Sequence, residues 1–240
     1  VSANISSQFV SALMLAGMIS SDRFAIKMRD QPTSPSYIRI TLQALERFGI
    51  TGKCSGTTII LKRGNSTGSN CVVCEADAAS ANYLFAFAAV TGGAVTIENL
   101  GNRTIQGEYE FVHALGKMGC EILSDQFSTT VRKRVSRGCN VSGRNMPDSV
   151  MTLCCVAPVA GERTIIRDVA NLRFKETDRL SKIKEKLAIL GCRATVSSEK
   201  IIIHPGFYHP AGSITCDNDH RIAMSFSIPA ALYGKPILRG

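Results

Sequence analysis

The densest chemistry in the chain is the run Asn171-Leu172-Arg173-Phe174-Lys175-Glu176-Thr177-Asp178-Arg179-Leu180. Lys175 and Arg179 are four residues apart and Glu176 and Arg179 three, so a helix opening here brings the three side chains within reach of one another. Two cations so placed can grip phosphate or carboxylate oxygens, and a carboxylate beside them can pass a proton. Taken alone, the same pattern is a local helix salt bridge. A second set of polar residues recurs where apolar helices begin: Ser6, Ser7 and Gln8; then 77–80, ending in Ser80; then Asp148 and Ser149; then His220 and Arg221. The first turn of a helix has unpaired N–H groups and a partial positive charge, which suits anions. Ser and Asp are also the ordinary caps, and Ser80 reads that way. Three consecutive polar groups at 6–8 exceed what one cap needs.

The elements that must position these residues repeat along the chain. Three times there is a small or polar start, an apolar helix, a strand, a second amphipathic helix ending in glycine, and a closing β-rich stretch. Starts at 7, 80, 149 and 221 lie 73, 69 and 72 residues apart, and Gly49, Gly119 and Gly191 lie 70 and 72 apart. Two independent landmarks thus share one period. Strands are expected over 23–28, 57–62, 94–97, 128–133, 163–166 and 200–204, and second helices over about 34–49, 108–119 and 176–191. Ile38, Leu42, Leu45 and Phe48 trace one helical face, as do Leu180, Ile183, Leu187 and Leu190. Ser34 followed by Pro35 reads as an N-cap with proline at the first helical position, and the three glycines as left-handed stops.

The fold class is therefore α/β (α+β), built from repeated βαβαββ-like units with helices under a sheet. The period is too long and the copies too few for a solenoid. Copies packed about a pseudo-symmetry axis would bring the first-helix starts together at one end. The polar run 63–70 reads as a crossing between lobes, and 138–147 as a join within one.

Composition bounds the partners. No run of about 18 residues escapes both charge and turn signals in the manner of a membrane helix, and the N-terminus lacks a basic region followed by an apolar block, so the expectation is a cytoplasmic protein. Nine cysteines, an odd number with Cys154 and Cys155 adjacent, do not read as a secreted disulfide framework. Cys71 and Cys74 form a CxxC, but zinc would need a second ligand pair at similar spacing, so no metal is expected and the thiols read as small buried hydrophobes. A net charge of +9 predicts attraction to something anionic. A nucleic-acid groove would interleave basic and aromatic residues, whereas aromatics make up 6% of the chain and sit mostly within apolar helical patterns.

With these residues in place, the chain resembles the 5-enolpyruvylshikimate-3-phosphate synthase family. The run RFKETDRL at 173–180 is similar to that family's second signature, and Ser6-Ser7-Gln8, Ser34 with Tyr37, Pro147-Asp148, and 217–224 match in order and spacing. The resemblance implies two lobes of three βαβαββ-like copies in pseudo-threefold arrangement. Residues 1–63 would be the last copy of the first lobe, 64–75 the crossing, and 76–240 the second lobe, with units 76–146, 147–213 and the start of a third at 214–240.

By the same resemblance Asp148, Glu176 and Lys175 are catalytic. Shikimate 3-phosphate is held by Ser6, Ser7, Gln8, Ser34, Tyr37, Asp148, Asn171 and Lys175, and phosphoenolpyruvate by Gln8, Arg179 and Arg221. It implies no organic cofactor or metal, and small-molecule partners rather than nucleic acid or membrane. It also implies a central excerpt, truncated at both ends, from a longer enzyme or from a polypeptide fused to other shikimate-pathway domains. The alternatives are the related UDP-amino-sugar enolpyruvyl transferase, which a comparison of the two acceptors would separate, and a noncatalytic phosphate- or RNA-binding module, whose mark is steep salt dependence.

Overall fold

Gly49, Gly119 and Gly191 each adopt the left-handed conformation, with φ of 77°, 101° and 73°, and the same succession of elements surrounds each one. A computed structural model describes residues 1–3, 6–64, 71–233 and 238–239. The chain divides into two units, one comprising Val1–Cys74 with Ile105–Gly107 and the other Glu75–Thr104 with Glu108–Gly240. Most of the expected crossing, at 65–70, lies outside the described residues, as do 234–237 and 240 in the last copy.

The first unit runs α1 (Gln8–Ser20), β1 (Arg23–Lys27), α2 (Pro35–Arg47), β2 (Ile50–Ser55) and β3 (Thr58–Arg63). Its strands form an antiparallel sheet in the order β1-β3-β2. Val10 and Met14 of α1, Ile38 and Leu45 of α2, and Ile26, Ile59 and Leu61 of the sheet make its core. Phe48, expected on the buried face of α2, is instead exposed, because the helix has already ended at Arg47 and Phe48 is its cap.

The second unit begins with α3 (Ala78–Thr91) and β4 (Ala94–Glu98), then a 3-10 turn, Gly107–Tyr109, leading into α4 (Glu110–Lys117), β5 (Glu121–Ser124) and β6 (Ser128–Arg132). The next copy is β7 (Asn140–Ser142), α5 (Val150–Val156), β8 (Thr164–Arg167), a 3-10 segment Ala170–Phe174, α6 (Arg179–Ile189), β9 (Ala194–Val196) and β10 (Lys200–Ile203). β11 (Ile214–Thr215), α7 (His220–Tyr233) and β12 (Leu238–Arg239) follow. The sheets β4-β6-β5 and β8-β10-β9 repeat the order of the first, each closing in an antiparallel hairpin, and β7 adds to β8 in parallel.

Only the copy at 140–203 has the full βαβαββ form among the described residues. Before α3 the Ala76 N–H donates to the Asn99 carbonyl at 2.9 Å. Helices α3, α5 and α7 pack on one another, with Phe85, Leu153 and Phe226 fully buried among them. Leu180, Ile183, Leu187 and Leu190 are all buried beneath the third sheet, as the spacing predicts.

One expectation fails at the level of burial. Cys71 and Cys74 are exposed, whereas Cys120, Cys139, Cys154, Cys155 and Cys192 are buried. Phe127, Phe174 and Phe207 sit exposed at the ends of short elements or in loops. No helix among the described residues is long and apolar enough to cross a membrane.

Gly138 marks a close approach of two backbones. A Cβ there would fall inside the contact distance of the Arg163 carbonyl and 2.7 Å from that of Glu162, and both are main-chain atoms that cannot swing away. Gly138→Ala is expected to destabilise the protein by about 1–3 kcal/mol, seen as a lower urea midpoint. An unchanged midpoint would show that the 138–147 join shifts freely.

Candidate active site

The first-helix starts of the second unit do come together. Asp77 caps α3, accepting from the N–H groups of Ala79 at 3.3 Å and Ser80 at 3.0 Å, so the cap is Asp77 and not Ser80. Asn82, one turn into α3, donates to the Ser149 hydroxyl at 2.7 Å, at the mouth of α5. Arg221, in the first turn of α7, donates to the Tyr83 hydroxyl at 3.0 Å and to Asp148 at 3.3 Å. Three helices about seventy residues apart thus meet around one carboxylate.

That carboxylate, Asp148, has a cation on every side. Its Oδ1 lies 3.3 Å from Lys175 Nζ and 3.0 Å from Arg179 Nη1, and its Oδ2 3.3 Å from Arg221 Nη2. Burial by itself would push the carboxyl up, but Lys175, Arg221 and Arg179 outweigh it and hold Asp148 below the ordinary range. It is a charged acceptor throughout the neutral range.

Arg179 is the hub. Only 1% of its side chain is exposed, and its fork spans three acids: Nε reaches Asp219 Oδ2 at 2.9 Å, Nη1 reaches Asp148, and Nη2 reaches Glu176 Oε2 at 2.6 Å and Asp219 Oδ1 at 3.2 Å. Asp219 is enclosed and also accepts from Thr177 Oγ1 at 3.0 Å and from the Arg221 amide at 2.9 Å, which ties the arginine of α6 to the arginine of α7. Burial opposes ionisation of Asp219, yet Arg179 lowers its pKa all the same.

The local structure differs from the expected helix over 176–191. Asp178 caps α6 through the Ser181 N–H at 3.2 Å, and Lys175 is extended (φ −96°, ψ −164°), so Lys175 and Glu176 project from a bend between the 3-10 segment and α6. The physical reason is the competition between caps: an aspartate three residues before Ser181 satisfies the first turn and stops the helix from extending back. Glu176 still meets Arg179, while Lys175 turns to Asp148 instead. Asn171 lies in the 3-10 segment with its side-chain oxygen buried and without a hydrogen-bond partner, and Arg221 Nε is in the same position.

In the first unit Ser7 caps α1 without a side-chain cap bond, while Ser6 Oγ accepts from the Gln8 N–H at 3.2 Å. Ser7 is buried and Gln8 exposed. Ser34 is buried at the start of α2, again without a side-chain cap bond, and Tyr37, in the first turn of α2, is half-buried.

Sequence reasoning assigned no role to Tyr83, Glu108 or Asp219. Asp219 stands two residues before Arg221, and Tyr83 one helical turn past Ser80, so both could have been found by extending each motif by a turn. Glu108 had no such signal. Among the described residues no group of three His, Cys, Asp or Glu side chains is arranged to hold a metal ion.

The model of the EPSP synthase (3-phosphoshikimate 1-carboxyvinyltransferase) family matches residues 1–238. The chain belongs to the EPSP synthase family. It is 37% identical over 227 residues to the 3-phosphoshikimate 1-carboxyvinyltransferase of Methanosphaerula palustris, covering 94% of this chain and 53% of that protein. It is also 37% identical over 242 residues to the enzyme named chloroplastic from Brassica napus, covering 96% of this chain and 47% of the relative. An EPSP synthase structure from Acinetobacter baumannii matches the fold with a TM-score of 0.76 at 23% identity, over all of this chain and 56% of that one. The chain thus spans about half the length of these relatives.

Proposed function

We propose that the protein is a 3-phosphoshikimate 1-carboxyvinyltransferase, moving the enolpyruvyl group of phosphoenolpyruvate to the 5-hydroxyl of shikimate 3-phosphate and releasing phosphate. The observation that carries this reading is Asp148, ionised and surrounded by Lys175, Arg179 and Arg221, with Glu176 held on the far side of the same guanidinium. A base and an acid sharing one cationic centre suit a reaction between two anions. In the first step Asp148 takes the hydroxyl proton as the oxygen adds to C2 of phosphoenolpyruvate, and Glu176 protonates the methylene carbon. In the second, phosphate leaves and Glu176 takes a proton back.

Every nitrogen of Arg179 is occupied by an acid, so a substrate carboxylate or phosphate gains access to it as Asp148 or Glu176 gives way. The orphaned Arg221 Nε and Asn171 Oδ1 suit a ligand oxygen and a ligand hydroxyl. On this reading Arg179 and Arg221 hold phosphoenolpyruvate. Lys175 and Asn171 hold shikimate 3-phosphate. On this reading the protein acts in the cytoplasm, whereas the plant relatives are named chloroplastic.

The test is phosphate release by the intact protein. Release that requires both shikimate 3-phosphate and phosphoenolpyruvate is the expected result; no release, or release with a UDP-amino sugar in place of the shikimate, would refute the assignment.

A further inference from the structure

We infer that Glu108 is a positioning residue for Asp148, its carboxylate clamping the Asp148 amide and the Ser149 hydroxyl so that the Asp148 carboxyl is fixed among its cations. Glu108 is 4% exposed. Its Oε1 accepts from the Asp148 N–H at 3.1 Å and its Oε2 from the Ser149 hydroxyl at 2.5 Å. The same hydroxyl accepts from Asn82 Nδ2, which also donates to the Glu108 carbonyl at 2.8 Å. Asn82 of α3, the 3-10 turn with Glu108, and the entry to α5 are therefore locked at a single point, directly behind the carboxylate that the enolpyruvyl-transfer reading makes the base.

A purely structural tie could use neutral groups. Here the chain buries an acid that has no ion pair among the described residues, because the nearby cations are taken by Asp148. The charged groups facing it are Asp148, from the entry to α5, and Arg221, from α7; Tyr83 of α3 is joined to this centre through Arg221, and Arg179 of α6 through Asp148. Burial first and the Asp148 charge second push Glu108 up to about 7, against the pull of the Ser149 and Asp148 hydrogen bonds and of Arg221. Glu108 thus changes charge near neutrality while Asp148 stays ionised. Each loss of the Glu108 proton places a second negative charge behind Asp148 and makes that carboxylate a stronger base.

The experiment compares Glu108→Gln with the wild type in the intact protein from about pH 5.5 to about pH 8.5. The glutamine keeps the shape but loses one acceptor and the ionisation. The kinetic arm rests on the proposed function: wild-type kcat should rise through neutrality, and the variant should lose that rise and fall by about tenfold or more, since small displacements of a reacting group are costly. A second arm needs no substrate. With 13C-labelled aspartate, the Asp148 carboxyl resonance should show a transition near neutrality in the wild type and none in the variant.

Unchanged kcat and pH profile in Glu108→Gln would overturn the inference, and so would a change in thermal stability alone. If the wild type turns over no shikimate 3-phosphate, the function reading fails by itself, and the resonance arm decides this one: a missing neutral transition in the wild type sinks it. Should Glu108→Gln fail to fold, Ser149→Ala removes one of the two donors, with the same shifts expected at smaller amplitude.

Discussion

Arg179→Met is expected to lower the unfolding free energy by about 3–5 kcal/mol, read as a fall in urea midpoint without a change in slope. The side chain is enclosed, and so is its bidentate partner Asp219. Removing the guanidinium leaves a carboxylate with no exposure and, among the described residues, the Thr177 hydroxyl and the Arg221 amide to satisfy it. An uncompensated buried charge, rather than the lost attraction itself, dominates the cost. Arg179→Lys should recover only part of it, because one ammonium cannot reproduce a fork that meets Asp219, Asp148 and Glu176 together. Glu176→Gln should cost under about 1 kcal/mol by the same measurement, since half of the Glu176 side chain faces solvent.

The pH dependence follows from Asp148 and Asp219, whose pKa values are lowered in the fold. Their contribution is complete above the ordinary carboxylate range and is lost as pH falls toward the depressed folded values. The wild type should therefore lose stability faster than Arg179→Met on acidification, and the gap between the two should narrow. Equal urea midpoints at neutral pH would mean that the Arg179 network carries no net stability.

Why some of this was legible in the chain and some was not has a physical explanation. A left-handed stop after a helix demands glycine, so Gly49, Gly119 and Gly191 betrayed both the helix ends and the period. Strands β3, β4, β6, β8 and β10 are rich in β-branched residues and were visible on their own, as was β1 through its apolar Phe24-Ala25-Ile26. The edge strands β2 and β5 were not, because residues such as Gly52, Lys53 and Glu121 pair only through the register imposed by β3 and β6. The cluster of Lys175, Glu176 and Arg179 was visible from its spacing, although the helix assumed to join them starts only at Arg179. Glu108 was invisible for a different reason. It sits two residues from the ordinary surface Glu110, and what makes it unusual is a partner forty residues away, which no local pattern encodes.

The remaining large effect is on turnover. Asp148→Asn and Glu176→Gln should each lower kcat for phosphate release on the order of a hundredfold or more, as expected for loss of a positioned acid or base. The two should differ in KM. Asparagine at 148 keeps the shape and an oxygen acceptor but removes a negative charge from among Lys175, Arg179 and Arg221, leaving a centre that attracts anions more strongly. KM for both anionic substrates should stay level or fall while kcat collapses, the signature of a group that acts in the transition state rather than in binding.

Glu176→Gln frees only one arm of Arg179, so its KM should move less. Because Glu176 is proposed to act in both proton transfers to and from carbon, it should also abolish exchange of the methylene protons of phosphoenolpyruvate with solvent, which Asp148→Asn should only slow. The double variant should be little worse than the slower single one, since the two groups serve one reaction. Turnover that survives both substitutions would detach the chemistry from this carboxylate pair, however well the cations around it are arranged to bind.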